Sequence, residues 1–334
     1  MSAQLDQDIV VSTRVRLARN YKDLPFPGKM NRQQALRLND RVQKRIGGGG
    51  EFKRINMGDL SAIERQVLVE RHVASKELCD RPEGMLLLSK DETVSIMVGE
   101  EDHLRIQCVL PGLQLEEADA LSRSVDAMLS VDGYAFEPQL GYLTACPTNV
   151  GTGMRASVML HLPALTMSNS IQSLLETVSK FGYTMRGFFG EGTEPQGDMY
   201  QISNQVTLGL SEEEIIRNLT EVVRSIIKKE RSVREALFKG DNGELADRLH
   251  RSLGMLKFAR RLSTGEMMQR LSDVKLGLSL GLFEGVTIKD VDKLIPCAQP
   301  ASVAATLSGV TTAEQRDEAR AKMVRLALKD CQVY

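Results

Sequence analysis

The chain has 334 residues, 42% of them hydrophobic, with Trp absent and aromatics at 4%. That length predicts two domains, or one large domain with an appendage, and the apolar content can bury a core packed mainly by aliphatic side chains and Met. A formal charge of −1 excludes the basic excess of a general nucleic-acid binder, and five scattered cysteines without a CxxC pair exclude the usual zinc-ribbon spacing.

Val11-Ser12-Thr13-Arg14-Val15-Arg16 alternates and reads as an extended segment with both arginines on one face. Residues 31–46 read as a helix ending at the break Gly47 to Gly50. Residues 60–78 read as a second helix, with Leu60, Ile63, Val67, Leu68 and His72 at helical spacing. Met85–Ser89 and Val94–Val98 flank the polar turn Lys90-Asp91-Glu92, a hairpin signal, and Arg105–Leu110 continues it as a third antiparallel strand. A helix is expected at 115–130. Strands are expected at 139–145, 154–161, 183–189 and 199–207, with a helix over 163–180 among them. Strands in a meander with intervening helices predict an α+β unit, an antiparallel sheet covered by helices.

The pattern changes at Ser211, which with Glu214 forms a capping box. From there only helices are expected: 211–238, 243–260, 264–281, 287–295 and 312–330, with the turn Gly240-Asp241-Asn242-Gly243 between the first two. The division that follows is residues 1–232 as an α/β unit and 233–334 as an all-helical domain. The N-terminus lacks a basic and apolar leader, and no run approaches the ~20 apolar residues of a membrane span, so the expected compartment is the cytoplasm.

The acidic turn Gly99-Glu100-Glu101-Asp102-His103-Leu104-Arg105 lies where two strands meet. Glu101 stands four residues before Arg105. Such a turn can hold a cationic guanidinium beside an anionic phosphate, and His103 is placed to orient it. Arginines recur at strand-like positions: Arg14, Arg16, Arg105, Arg155 and Arg186. Singly, each could pair with a surface acid. Converging on one pocket, five would repel unless a polyanion joined them. A nucleoside triphosphate fits, since arginine forks match phosphate oxygens and the sequence has no GxxxxGK loop.

Ser12-Thr13-Arg14-Val15-Arg16, the Glu-Glu-Asp-His-Leu-Arg turn, Cys146-Pro147-Thr148-Asn149 and Arg186-Gly187 through Glu191 resemble, in the same order, the phosphagen (guanidino) kinases. The resemblance spans about residues 8–230. It is nearest to the bacterial protein-arginine kinase branch, because the chain opens at the arginine motif and adds a helical domain, and because Met159 ends Arg155-Ala156-Ser157-Val158-Met159. One departure is Gly99, where the family motif often has Asn. The resemblance implies that Ser12, Thr13, Arg14, Val15, Arg16, His72, Arg105, Arg155, Ala156, Ser157, Val158, Met159, Arg186, Gly187, Phe188, Phe189, Gly190 and Glu191 line a site for ATP with Mg²⁺. It implies Glu101 as the catalytic carboxylate, Glu191 as a second one, Cys146 beside the acceptor, and Glu100 as a further catalytic residue. No protein-held metal site is expected.

Plainer readings stand beside these. His72 reads equally as a satisfied core histidine, and Cys146 as a small buried hydrophobe. His161 and His250 carry no signal. Arg316-Asp317-Glu318-Ala319-Arg320-Ala321 follows a capping box at Thr312 and reads, from periodicity, as a solvated helix whose Asp317 neutralises Arg320. The resemblance instead makes Arg316, Asp317, Arg320 and Ala321 a phosphoarginine-binding motif. Partners implied by the resemblance are protein substrates with exposed arginines, an activator protein of the McsA type, a Clp-type unfoldase–protease, a heat-shock repressor and a second copy of the chain. No nucleic acid or membrane is implied. The rivals are a small-molecule phosphagen kinase and a phosphoarginine-binding adaptor with an inactive kinase domain.

Overall fold

Alternation in the first strand organises everything near the arginines. In β1 (Val10–Arg19), Thr13, Val15 and Leu17 are buried while Arg14 and Arg16 face the other way, half-buried. This computed structural model describes residues 5–46, 50–187, 196–240, 243–307 and 311–334. The next elements are α1 (Arg32–Ile46), β2 (Phe52–Asn56), α2 (Ala62–Glu70), α3 (Lys76–Cys79), β3 (Met85–Ser89), β4 (Val94–Val98), β5 (Leu104–Pro111) and α4 (Leu115–Leu129). A small ribbon, β6 (Phe136–Glu137) and β7 (Gly141–Tyr142), precedes β8 (Met154–His161). Then come α5 (Pro163–Met167), α6 (Ile171–Lys180), β9 (Tyr183–Gly187) and β10 (Met199–Asn204). The rest is α7 (Glu212–Lys239), α8 (Glu244–Phe258), α9 (Thr264–Ser279), β11 (Phe283–Glu284), α10 (Ile288–Cys297), α11 (Pro300–Ala305), α12 (Ala313–Ala327) and β12 (Gln332–Val333).

Eight strands form one sheet in the order β2-β3-β4-β5-β1-β8-β10-β9. β3, β4 and β5 pair antiparallel as expected, and β1 pairs antiparallel with β5, setting Arg16 opposite Gln107 and Ala18 opposite Arg105. Arg16 and Arg105 are therefore diagonal neighbours on adjacent strands, within reach of long side chains. Contacts gather the chain into two compact units: residues 12–158 with 203–221, and residues 1–11 with 159–202 and 222–334.

In the first unit, Met57, Leu68, Leu78, Leu86, Leu88 and Met97 form a core cluster. The helix expected over 60–78 is two helices. His72 takes φ 58 and Ser75 caps α3, its hydroxyl accepting from Leu78 N at 3.1 Å. Both helices feed the same cluster, so the apolar period runs across the break. The strand expected over 139–145 shrinks to β7, because Thr144 turns its hydroxyl onto the Cys146 carbonyl at 2.7 Å. β2 was not foreseen.

In the second unit, the helix expected over 163–180 is also split, with Asn169 at φ 54 between α5 and α6. Buried Glu230 of α7 accepts from Ala164 N at 3.1 Å and Leu165 N at 3.0 Å at the start of α5, and pairs with Arg234 at 2.7 Å. The core runs through Leu249, Leu253 and Leu256 of α8, Met267, Leu271 and Val274 of α9, and Val324 and Leu328 beside them. α11 was unforeseen, although Pro300 at its first turn is a start signal. β10 ends at Asn204 rather than 207. Gly47 to Gly49, Phe188 and Phe189, and Asp241 and Asn242 lie outside the described residues.

Candidate active site

Four expected arginines converge within the first unit. Arg14 and Arg16 come from β1, Arg105 from the start of β5 and Arg155 from β8. Burial pushes the Arg14 guanidinium down to about 10, with Arg105 adding repulsion. Arg16 is pushed well below the ordinary arginine value by burial, then by Arg14, Arg105 and Arg155, with Glu100 opposing. Arg16 Nε is buried and has no hydrogen-bond partner among the described residues. Arg14 and Arg16, lowered by burial and then by their neighbours' charge, mark a place suited to a polyanion.

The acidic turn divides its labour. Gly99 takes φ +74, and its N–H donates to the His103 carbonyl at 2.9 Å, closing the turn. An added Cβ there would meet nothing within 4 Å. Asn, the non-glycine residue that best tolerates this region, fits the same turn, so the departure at Gly99 leaves the geometry intact. Glu100 is buried, its carboxylate 2.7 Å from Arg105 and accepting from the Ser75 hydroxyl. Burial raises its pKa, and Arg105 and then Ser75 pull it back. Glu100 thus braces Arg105. Glu101 is the exposed partner, its side chain 41% accessible against 1% for Glu100, and it sits 3.6 Å from Arg105.

Glu101 opens onto a cavity of about 120 Å³ lined by Arg16, Arg105, Arg155, Cys146, Thr148 and Asn149, with the backbone around Ala18 and Gly153. Gly153 at φ +63 is what lets this loop close on β1: a Cβ would stand 2.6 Å from the Ala18 carbonyl, which is why only glycine brings Arg155 so near. Cys146 lines the cavity half-buried, its Sγ 3.0 Å from the Thr148 hydroxyl, and so is not the buried core hydrophobe of the plainer reading.

Other expected residues do not line this cavity. Thr13 is a core residue whose hydroxyl donates to the Gly112 carbonyl at 2.6 Å. Val15, Ala156 and Val158 are buried with it, because strand alternation turns them away from the arginine face, whereas Ser157, two residues from Arg155 on the same face, is buried there at 1% exposure. Met159 packs in the helical core. Ser12 is half-buried on β1. His72 is not on a helix face. It holds a left-handed turn, its carbonyl accepting from Gln107 Nε2 at 2.8 Å, and burial with Arg14 pushes its pKa down to about 3. Arg186 and Gly187 end β9, in the second unit. Phe188, Phe189, Gly190 and Glu191 lie outside the described residues.

Sequence reading missed Arg19 and Asn20. Arg19 is buried and fully engaged. It donates to the Thr152 carbonyl at 2.8 Å, pairs with Asp126 at 3.1 Å and Glu212 at 3.2 Å, and lies 3.6 Å from the Tyr142 ring centroid. Only an odd place in the alternation, an arginine on the buried face, could have flagged it.

The α12 motif is held differently. Arg320 is 1% exposed, donating to the Ala298 carbonyl at 2.8 Å and the Leu262 carbonyl at 2.7 Å and pairing with Asp317, as the periodicity reading expected. It is a buried anchor rather than a solvated residue. Ala321 is core. Arg316, half-buried, donates to the Thr311 carbonyl at 2.9 Å.

Comparison with known proteins agrees with this geometry. Residues 35–233 match the model of the ATP:guanido phosphotransferase C-terminal catalytic domain, and residues 242–333 that of the protein-arginine kinase McsB C-terminal domain. A protein-arginine kinase of Caldanaerobacter subterraneus subsp. tengcongensis is 45% identical over 97% of this chain and 98% of that protein. One of Bacillus subtilis is 42% identical over 96% and 90%. Among solved structures, the duplicated taurocyamine kinase of Schistosoma mansoni superimposes with TM-score 0.63 at 25% identity, over 78% of this chain and 40% of that one. A lombricine kinase shares the fold at TM-score 0.62 and 24% identity, over 73% and 71%. Among the described residues no helix is long and apolar enough to cross a membrane. The chain belongs to the ATP:guanido phosphotransferase family and, within it, to the protein-arginine kinases.

Proposed function

We propose that this chain transfers the γ-phosphoryl group of ATP to a guanidino nitrogen of arginine side chains in proteins. The observation that carries the reading is the cavity in which Arg16, Arg105 and Arg155 meet Glu101 and Cys146. Phosphoryl transfer needs positioning and charge stabilisation more than covalent help. The arginines hold the triphosphate, and the unpartnered Arg16 Nε suits a phosphate oxygen. Among the described residues no cluster of His, Cys, Asp and Glu could cage a metal. Mg²⁺ would enter with the nucleotide, held mainly by its phosphates, and would supply neutralising charge on the transferred group.

The acceptor sets the mechanism. Arginine and glutamate differ by ~8–9 pKa units, so prior deprotonation by Glu101 would cost roughly 11–13 kcal/mol. Glu101 instead pairs with the acceptor guanidinium, aims one nitrogen at phosphorus and takes the proton as the N–P bond forms. Cys146 flanks that guanidinium, and Glu191 supplies a second carboxylate. Arg14 extends the phosphate clamp and His72 borders it, and by family resemblance Arg186 is a further phosphate-binding arginine.

In this reading residues 1–232 are the catalytic domain and 233–334 a helical domain that binds phosphoarginine. There Arg316 meets the phosphate, and Asp317, braced by Arg320 beside Ala321, meets the guanidino group. The activator protein, the Clp-type unfoldase–protease, the heat-shock repressor and a second copy of the chain are its partners. Incubating the chain with labelled ATP and either a protein or free arginine, then measuring acid-labile phosphate, tests the reading. Label on protein arginine alone supports it. Label on free arginine alone marks a small-molecule kinase, and no label marks an adaptor.

A further inference from the structure

The acidic turn and the Cys146 segment meet through one buried hub. Asn20, just past β1, is 1% exposed. Its Nδ2 donates to Asp102 Oδ1 at 2.6 Å and to the Leu143 carbonyl at 3.0 Å, and its Oδ1 accepts from His103 N at 2.8 Å. Asp102 Oδ1 also accepts from Ala145 N at 2.7 Å. His103 fixes the far side. Tyr21 N donates to its Nδ1 at 2.9 Å, so Nε2 carries the ring proton and donates to the Pro25 carbonyl at 2.8 Å. Burial lowers the His103 pKa and keeps that neutral form. Three separate stretches are thus joined: the end of β1, residues 99–103 and residues 143–146.

We propose that Asn20 and Asp102 are positioning residues that set the spacing between Glu101 and Cys146 across the acceptor cavity, an inference that rests on the kinase reading above. Asp102 is the neighbour of Glu101, and Ala145 is the neighbour of Cys146. The bond between Asp102 and Ala145 therefore locks the peptide units that carry both cavity residues. Neither Asn20 nor Asp102 lines the cavity. Their effect is on aim, and displacement of about 1 Å at a transfer site costs on the order of 100-fold in rate. Both N–H groups converge on a single oxygen of Asp102, so an amide in its place presents the same acceptor. Asp102 acts here through shape and hydrogen-bond acceptance rather than charge.

Asp102→Asn and Asp102→Ala separate these roles. Asp102→Ala is expected to lower kcat on a protein substrate by about 100-fold while leaving the KM for ATP within about threefold, because the phosphate-binding arginines stand on strands. Asp102→Asn is expected to restore kcat to within about threefold of the parent. Cys146 alkylation, followed by peptide mass spectrometry with exposed Cys297 as internal reference, should quicken several-fold in Asp102→Ala and stay at the parental rate in Asp102→Asn. Asn20→Ala gives the same pair of readouts if Asp102→Ala does not fold. The proposal is overturned if folded Asp102→Ala keeps parental kcat and Cys146 reactivity, or if Asp102→Asn is as slow as Asp102→Ala. A parental protein that labels no arginine defeats the functional reading instead, and the alkylation rates still judge the hub.

Discussion

Arginine plays opposite parts in two regions of this molecule. Around the cavity, Arg14, Arg16, Arg105 and Arg155 crowd together, and Arg16 keeps a buried Nε without a hydrogen-bond partner among the described residues. In α12, Arg320 is more deeply hidden but spends its fork on two carbonyls and Asp317. The first arrangement leaves Arg16 Nε open to an anion. The second is a finished piece of structure. A buried cation signals a ligand only when its local partners fall short, and Arg19, three residues from Arg16 and fully paired, shows how sharply that can change along one strand.

The contrast can be broken in several places. The largest expected effect is Glu101→Gln, which removes the proton acceptor and should lower kcat by about 1,000-fold or more with ATP binding retained, read by stopped-time labelling and nucleotide titration. Arg16→Met should weaken ATP binding by about 10- to 100-fold, yet leave the nucleotide-free melting temperature unchanged or raised, since it removes a charge disfavoured by burial and by the neighbouring arginines. Arg320→Met should do the reverse. Stranding two buried carbonyls costs about 3 kcal/mol and lowers melting by several degrees, with ATP affinity intact. If Arg16→Met proves the more destabilising of the two, the comparison fails.

A smaller effect is expected from His72. Its folded pKa lies near 3 against an ordinary 6.5, so between those values the unfolded chain binds a proton that the folded chain refuses. Stability should fall as pH drops from 6.5 toward 3, and denaturant midpoints across that window should flatten in His72→Asn, which tolerates the positive φ. His161 and His103, also lowered by burial, add slope of the same sign, so the flattening is partial. Smallest of all, Gly99→Asn should keep activity within about twofold, because the turn has open space and Asn accepts its conformation.

Much of this architecture could be read along the chain. β3, β4 and β8 fall where alternation and turn residues placed them, and the helix starts at Ser211 and Thr312 follow their capping boxes. The two broken helices could not be read, because apolar spacing continues through His72 and Asn169 while the backbone does not. Within the site, the arginines and Glu101 were legible as charges in costly positions. Asn20 was not, since a lone asparagine carries no pattern until three distant segments close around it.

Sequence alone determined which chemistry the chain can bring, because the residue types and the strand period put guanidinium groups and carboxylates on definite faces. Tertiary structure decided which of them are unpartnered, since pairing depends on neighbours contributed from far along the chain. Glu100 and Glu101 are adjacent and chemically alike; only folding buries the first against Arg105 and leaves the second open to the cavity.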